Sequence, residues 1–552
     1  MKGFYLKPKF FSVMKTYSKG QFLKDVIAGI IVAIIALPLS IALAIASGVN
    51  PECGIYTAIA AGFVVSFLGG SRIQIAGPTA AFATIVAGIV ASKGMDGLII
   101  ATVIAGIVLI LMGVFKLGSL IKFIPNTITV GFTAGIAVTI LIGQIKDFLG
   151  LDYTGRIEHA PIEAIEKIEA NIAVADTFSW QALLVGAVCL AILIIYPRIE
   201  KRVPPSLVAV VVSVLMVKFI PGLGEGVSTI EELYTIPAGL PKFALSGMDL
   251  SFEKVVSLIP DAFTIAILAA IESLLSCVVA DTMVNSKHNS NAELVAQGCG
   301  NIASVLFGGI PATGAIARTA ANAKNGGRTP VAGMVHAVVL LIVILLLMPL
   351  AGLIPMPCIA AILFMVAYNM SEWKKFVHIV KTAPKSDIFV MVVTFILTVA
   401  FDLVVAIAVG MGLAVVFFMK RMSDESYVAI APESDPDSIE SRNVPNNVLV
   451  YEVSGPMFFG AADKILNISL NENTEYLILR MRSVPALDQS AMNSLTQIYK
   501  NCEARNVKLI FSHVNDQPMK VLKKSGLYGK LGKERFFAHI DGALSYARKT
   551  EE

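Results

Sequence analysis

The chain has 552 residues, 56% of them hydrophobic and 15% charged, with a mean hydropathy of +0.75. Soluble domains carry about 25% charged residues, so a soluble globular protein is excluded over most of the length. What remains is a polytopic membrane protein, and its formal net charge of +4 informs only through its distribution.

After a lysine-rich head comes "VIAGIIVAIIALPLSIALAIASG", long enough for a helical span of about 20 residues and too long for a barrel strand. Its length and the internal Pro38 argue for a retained span over a cleaved signal peptide. About fourteen hydrophobic segments, several of them short, follow one another between residues 22 and 420. The third holds "GGSRIQIAGPTAAFATIVAG", Gly69 to Gly88, in which Gly77-Pro78 precedes a run too short to cross a bilayer. The tenth holds "GGIPATGAIARTAANAKNGG", broken by Pro311 and by Gly308, Gly309 and Gly314, with Arg318 beside the break. Third and tenth are corresponding members of two seven-span halves, and an odd count inserts the halves upside down relative to each other. Interrupted segments at matching positions point to a transporter's substrate site.

The physical reason lies in the helix terminus. A half-helix that starts at mid-membrane aims unpaired N–H groups and the positive end of its dipole into the gap, which suits an anion. Thr79, Ala80 and Ala81 open one half-helix, and Ala315, Ile316 and Ala317 open the other. Small residues let an oxyanion approach the backbone, and Thr79 adds a hydroxyl. Arg318 supplies positive potential behind the half-helix, or else forms a salt bridge or snorkels toward the cytoplasmic side.

Between the two breaks, "IAILAAIESLLSCVVAD" places Glu272 in an apolar helix, with Ser276 one turn on along the same face. Three roles are open to the carboxylate. It can carry a coupling proton, coordinate Na⁺ with Ser276 and a freed carbonyl near Gly314, or pair with Arg318.

Lysine and arginine set the orientation. Arg72, Lys116, Lys122, Arg198, Lys201, Arg202, Lys287, Lys324, Arg328, Lys374, Lys375, Lys381, Lys385, Lys420 and Arg421 fall in alternate loops, with the amino terminus inside. The opposite loops are acidic, with Asp152, Glu158, Glu163, Glu166 and Glu169 in one and Glu225, Glu231 and Glu232 in another. Both termini are therefore expected in the cytoplasm, and the protein in the cytoplasmic (inner) membrane. Residues 1–421 form the transport domain. The acidic "SDESYVAIAPESDPDSIESRN" marks a linker, 422–445. From "NNVLVYEVSGPMFFGAADKI" onward, short strands alternate with amphipathic helices, which predicts a small α/β domain over 446–552.

The six cysteines show no metal-ligand spacing, and no Walker A motif or nucleophile elbow is present. "GLGEGV", starting at Gly222, reads as a turn. An enzyme, a metal or other cofactor, and a nucleic-acid partner are not expected.

These stretches resemble the SulP family of anion transporters, relatives of the animal sulfate, bicarbonate and chloride carriers. The resemblance rests on "ALPLSIALAIASGVNPECGIYTAIAAGFVVSFLGGSRIQIAGPTAAF", "ESLLSCVVAD" and "GGIPATGAIARTAANAKNGGRTPVAG". It implies a uracil-permease-like fold with a core of spans 1–4 and 8–11, a gate of spans 5–7 and 12–14, an elevator motion and a homodimer. It also implies that Thr79 and Ala80, with Ile316, Ala317 and Arg318, hold the anion, and that Leu39 and Leu43 line the pocket. Glu272 stands where a Na⁺-coupled bicarbonate carrier has aspartate, and Ser276 where it has threonine; the longer glutamate implies H⁺ coupling, with Na⁺ the alternative. The C-terminal domain resembles STAS domains through "VPALDQSAMNSL". In bacterial antagonists of that class a serine of this turn takes phosphate. Asp488 and Ser490 are accordingly a regulatory turn that a cytoplasmic partner could read, or a plain helix cap.

The expected function is secondary transport of small anions such as sulfate, bicarbonate, chloride or a C4-dicarboxylate. A nucleobase–proton symporter would want a further carboxylate in the tenth segment, where "GAIARTAA" offers arginine. A membrane-anchored STAS regulator would need no paired half-helices.

Overall fold

The computed structural model describes residues 6–119, 124–157, 161, 163–200, 203–234, 243, 251–401, 403–430 and 444–548. Lys122, Glu158, Lys201 and Arg202, and 431–443 of the expected linker, lie outside the described residues. The chain forms two compact units, 1–411 and 412–552.

The first unit is helical. Among the described residues, eight helices are long and apolar enough to cross a membrane, one of which belongs mostly to the second unit. Pro205–Phe219 and Val331–Leu346 are apolar but shorter. One pair of hydrophobic segments is merged in this length count. Residues 80–114 run as one element, bent at Gly94 (φ 72°, ψ 179°), so the short third segment and its successor are joined end to end. That backbone conformation is essentially restricted to glycine.

Helices group into two bundles. Lys19–Ala46, Pro51–Leu68, Ala83–Val114, Ile259–Val284, Ser290–Leu306, Ile316–Lys324 and Val331–Ala351 pack on one another. Asn126–Leu149, Trp180–Ile199, Pro205–Phe219, Met356–Met370 and Lys385–Ala400 form the other. Both broken segments lie in the first. There Ala76–Gly77 and Thr313–Gly314 pair as a two-stranded antiparallel sheet, Ala76 opposite Gly314 and Gly77 opposite Thr313.

Isolated two-residue strands have little stability of their own, so side chains must hold them. Helix Ser290–Leu306 supplies these from one polar face: Glu293, Gln297, Asn301 and Ser304 are all fully buried. The Glu293 carboxylate accepts from the Gly70 N–H (2.8 Å), the Ser71 N–H (3.2 Å), Gln74 Nε2 (2.8 Å) and Gln297 Nε2 (3.0 Å). Asn301 grips Ala312 at both ends, accepting from its N–H at 2.8 Å and donating to its carbonyl at 2.9 Å. Thr57 accepts from the Ile310 N–H at 2.7 Å. The bonds to Gly70, Ser71, Ile310 and Ala312 each satisfy a backbone group that lipid could not.

The second unit opens earlier than the sequence suggests. Helix Leu403–Glu425 runs into the start of the expected linker, and Tyr427–Ile430 is a strand. It pairs antiparallel with Val448–Ser454, and Tyr476–Ser483, Lys508–Ser512 and Phe536–Phe537 continue the sheet in parallel. The acidic, proline-bearing composition hid a short apolar "YVAI" that completes a sheet edge. The core lies on both faces, with Leu477, Leu479, Phe511 and Leu495 on one side and Ile478, Ile510 and Leu544 on the other.

Candidate anion site

Each two-residue strand leads directly into a half-helix. Beyond Gly77-Pro78, Thr79 occupies the cap position of a short turn, Ala80–Phe82, that continues into Ala83–Val114. A threonine there would ordinarily cap the helix with its hydroxyl. Thr79 makes no such cap; its hydroxyl donates to Glu272 Oε2 at 2.9 Å. The expectation that this hydroxyl serves the anion is therefore altered, since its proton is committed to the carboxylate. Ala80 and Ala81 are buried behind it.

On the other side, Ala315 caps Ile316–Lys324 without a side-chain bond. Its own N–H donates to the Ile75 carbonyl at 2.8 Å and its carbonyl accepts from the Thr319 N–H at 2.9 Å. Ala315 thus closes the sheet rather than presenting a donor. The Gly314 N–H is likewise used, donating to Ser273 Oγ at 3.0 Å. Ile316, 41% exposed, and exposed Ala317 face open space at the first turn.

Arg318 follows one residue on and is 1% exposed. Its Nη2 donates to Ser40 Oγ at 3.2 Å and to the Pro78 carbonyl at 3.3 Å. Among the described residues it has no carboxylate within ion-pair distance, which removes the salt-bridge alternative. Gly77 makes the approach possible, since a Cβ there would stand 2.2 Å from Arg318 Nη1. The guanidinium thus reaches back from one half-helix to the peptide that opens the other. Leu39 is half-buried and Leu43 buried on helix Lys19–Ala46, whose contact with the arginine is made by Ser40.

Glu272 joins the two breaks. Thr313 Oγ1 donates to its Oε2 at 2.8 Å beside the Thr79 hydroxyl, and the two threonine oxygens lie 3.3 Å apart. Ser276 is not part of this cluster. One turn away and fully buried, it contacts Thr319 Oγ1 at 3.5 Å, and Thr319 in turn accepts from the Ile75 N–H at 3.0 Å. The expected set of Glu272, Ser276 and Gly314 is therefore only partly brought together, with Thr313 and Thr79 as the carboxylate's partners. Among the described residues no group of His, Cys, Asp and Glu suits a metal ion.

Sequence reasoning missed Ser40, Thr313 and the Glu293 face. The last was detectable, because Glu293, Gln297, Asn301 and Ser304 recur at helical spacing. A cavity of about 310 Å³ runs along the first half-helix past Thr84, Gly88 and Ser92, with Thr139, Thr264 and Thr398 facing them.

In the second unit, Asp488 is the cap of Gln489–Ala504. It accepts from the Ala491 N–H at 2.9 Å and from the Phe459 N–H at 2.9 Å. Ser490 sits half-exposed in the first turn, free of the capping duty. Burial pushes the Cys502 thiol up to about 11, so it is an inert core group.

The chain matches the sulfate permease family over residues 22–394 and the STAS domain over residues 440–543. It is 43% identical over 549 residues to the Bacillus subtilis protein described as "Putative sulfate transporter YvdB", covering 97% of this chain and 99% of that one. It is 30% identical over 544 residues to the bicarbonate transporter BicA of Picosynechococcus sp., covering 95% and 94%. Among solved structures, the BicA transmembrane domain superposes with a TM-score of 0.62 at 30% identity, covering 71% of this chain and 98% of that one. The murine Slc26a9 anion transporter gives 0.86 at 18% identity, covering 98% and 94%, a likeness of fold.

Proposed function

The chain belongs to the sulfate permease family, and from that membership we propose that it is a secondary carrier of small inorganic or carboxylate anions, coupled to H⁺ and working by an elevator motion of the first bundle against the second. The observation that carries this reading is the junction of two side-chain-uncapped half-helices around a buried guanidinium with no carboxylate partner. Dipole ends and a cation converge there, and among the described residues no carboxylate is paired with the cation. The names of relatives favour sulfate and bicarbonate as substrates. Chloride and C4-dicarboxylates suit the same chemistry.

Coupling is assigned to Glu272. An ionised carboxylate next to Thr79 and Thr313 competes with an anion for the same positive potential. Protonation removes that competition, so anion and proton favour each other's binding. Neutral Glu272 can keep both contacts, with a threonine hydroxyl turning from donor to acceptor. Carried together, proton and anion cross with their charges offset. Na⁺ held by Glu272 with the two threonine oxygens is the second reading, favoured by the convergence of those oxygens on Oε2. The homodimer, the cytoplasmic placement of both termini and a regulatory role for Asp488 and Ser490 complete the proposal.

The test is uptake into proteoliposomes of sulfate, bicarbonate, chloride and fumarate, with imposed pH and Na⁺ gradients. Accumulation driven by an inward H⁺ gradient is expected. Uptake that ignores pH and follows Na⁺ replaces the proton with the cation.

A further inference from the structure

Two buried side chains near the anion site carry polar atoms with no hydrogen-bond partner among the described residues. Arg318 has Nε and Nη1 unmatched, and His336, 0% exposed on helix Val331–Ala351, has both ring nitrogens unmatched. Orphaned groups of this kind in a low-dielectric interior are costly and call for an explanation. They are also neighbours. The Gly77 position stands against Arg318 Nη1 and the Ala58 Cα, while the Gly62 position, one turn along the same helix from Ala58, stands against the Ala76 carbonyl and His336 Nδ1. Arginine and histidine thus flank consecutive peptide units of one strand, over one stripe of small residues on Pro51–Leu68.

Their chemistry is complementary. Guanidinium N–H groups only donate, and a neutral imidazole keeps one nitrogen as an acceptor and the other as a donor. Both groups are buried, whereas Ile316 and Ala317 at the first turn are exposed. Nη2 is already tied to Ser40 and Pro78, which leaves Nε and Nη1 to fix the plane of the guanidinium.

We propose that His336 is a positioning residue for anion transport, its neutral imidazole accepting through one bridging water from the unmatched N–H groups of Arg318 and so holding the cation in register behind the two half-helices. The inference rests on the reading that Arg318 attracts the substrate. It assigns His336 no contact with the anion. Its effect is on where the charge is held, and hence on affinity more than on turnover.

The experiment compares full-length wild type with H336F, H336N and R318Q in proteoliposomes, using sulfate and bicarbonate uptake in separate assays. Loss of one hydrogen bond to a charged group corresponds to about tenfold. H336F should therefore raise KM about tenfold with kcat little changed, H336N should recover most of the affinity, and H336F should add nothing on the R318Q background. R318Q without effect removes the anion-attraction reading itself. R318Q impaired with H336F unchanged, or H336N as impaired as H336F, overturns the positioning role alone. Wild type offers an independent check should H336F not fold. A cryo-EM map that resolves ordered water should show the imidazole acceptor within about 3.2 Å of a water shared with Nε or Nη1. A gap with no bridging atom overturns the proposal.

Discussion

Thr79 shows how one residue alters a reading that its type alone suggests. Its place at a half-helix cap invites a direct bond to substrate, yet its hydroxyl serves Glu272. A substitution there should act through the carboxylate. Removing the donor that steadies the ionised carboxylate weakens the anion's competitor, so Thr79→Val is expected to strengthen apparent anion affinity by about 1–2 kcal/mol, the scale of a hydrogen bond to a charged group. In the E272Q background the same change should do clearly less, giving a coupling energy of about 1 kcal/mol or more in a double-mutant cycle of uptake kinetics. Weakened affinity in both backgrounds would place the threonine on the anion instead. Glu272→Gln by itself should retain anion binding and lose acceleration by an inward pH gradient, measured in the same vesicles. Arg318 was conspicuous in the sequence because a cation beside a break in an apolar segment is expensive. Ser40 was not, since a serine in an apolar span has many uses and its contact with the guanidinium crosses the bundle.

At the scale of elements, the breaks were legible and the means of holding them were only partly so. Glycine and proline announce an interrupted segment. They do not announce that Gly94 will turn a half-helix and its successor into one bent element, because both sides of the bend carry the same apolar composition. A Cβ at Gly94 meets nothing within 4 Å, so any cost there is backbone conformation alone. Gly94→Ala is expected to destabilise by about 1–3 kcal/mol, read as a lowered thermal midpoint in detergent. Glu293 tests the opposite kind of support. Four N–H donors converge on its carboxylate, and Glu293→Gln replaces an acceptor oxygen with an amide that faces donors. A loss of about 2–3 kcal/mol is expected, again in thermal stability. Unchanged stability would mean that the strand pair stands without this helix.

At the scale of the molecule, composition separated the apolar stretch from the α/β stretch that follows it, because hydropathy and periodicity change together after Arg421, inside the second unit. The start of the sheet was obscured, since "SDESYVAIAPESDPD" reads as acidic linker while four of its residues complete a sheet. The end of the preceding helix has a physical marker. Lys464 Nζ donates to the Ser423 carbonyl at 2.5 Å and to the Ser426 carbonyl at 2.7 Å, at the C-terminal end of helix Leu403–Glu425. A lysine at that end satisfies orphan carbonyls and suits the dipole. If the STAS unit regulates transport without forming part of the path, truncation should leave flux in correctly inserted protein. Where the cut falls should then matter. Ending the chain near 435 keeps Tyr427–Ile430 while deleting Val448–Ser454, the strand it pairs with. The remnant is an unpaired apolar edge that invites association. Ending it at Glu425 removes the strand as well and leaves only the Ser423 carbonyl of the two that Lys464 had capped, which water can satisfy. Size-exclusion profiles should therefore show more aggregate for the longer truncation, with equal specific uptake in the dispersed fractions of both. A complete lack of uptake by well-dispersed protein cut at Glu425 would make the second unit part of the transport machinery.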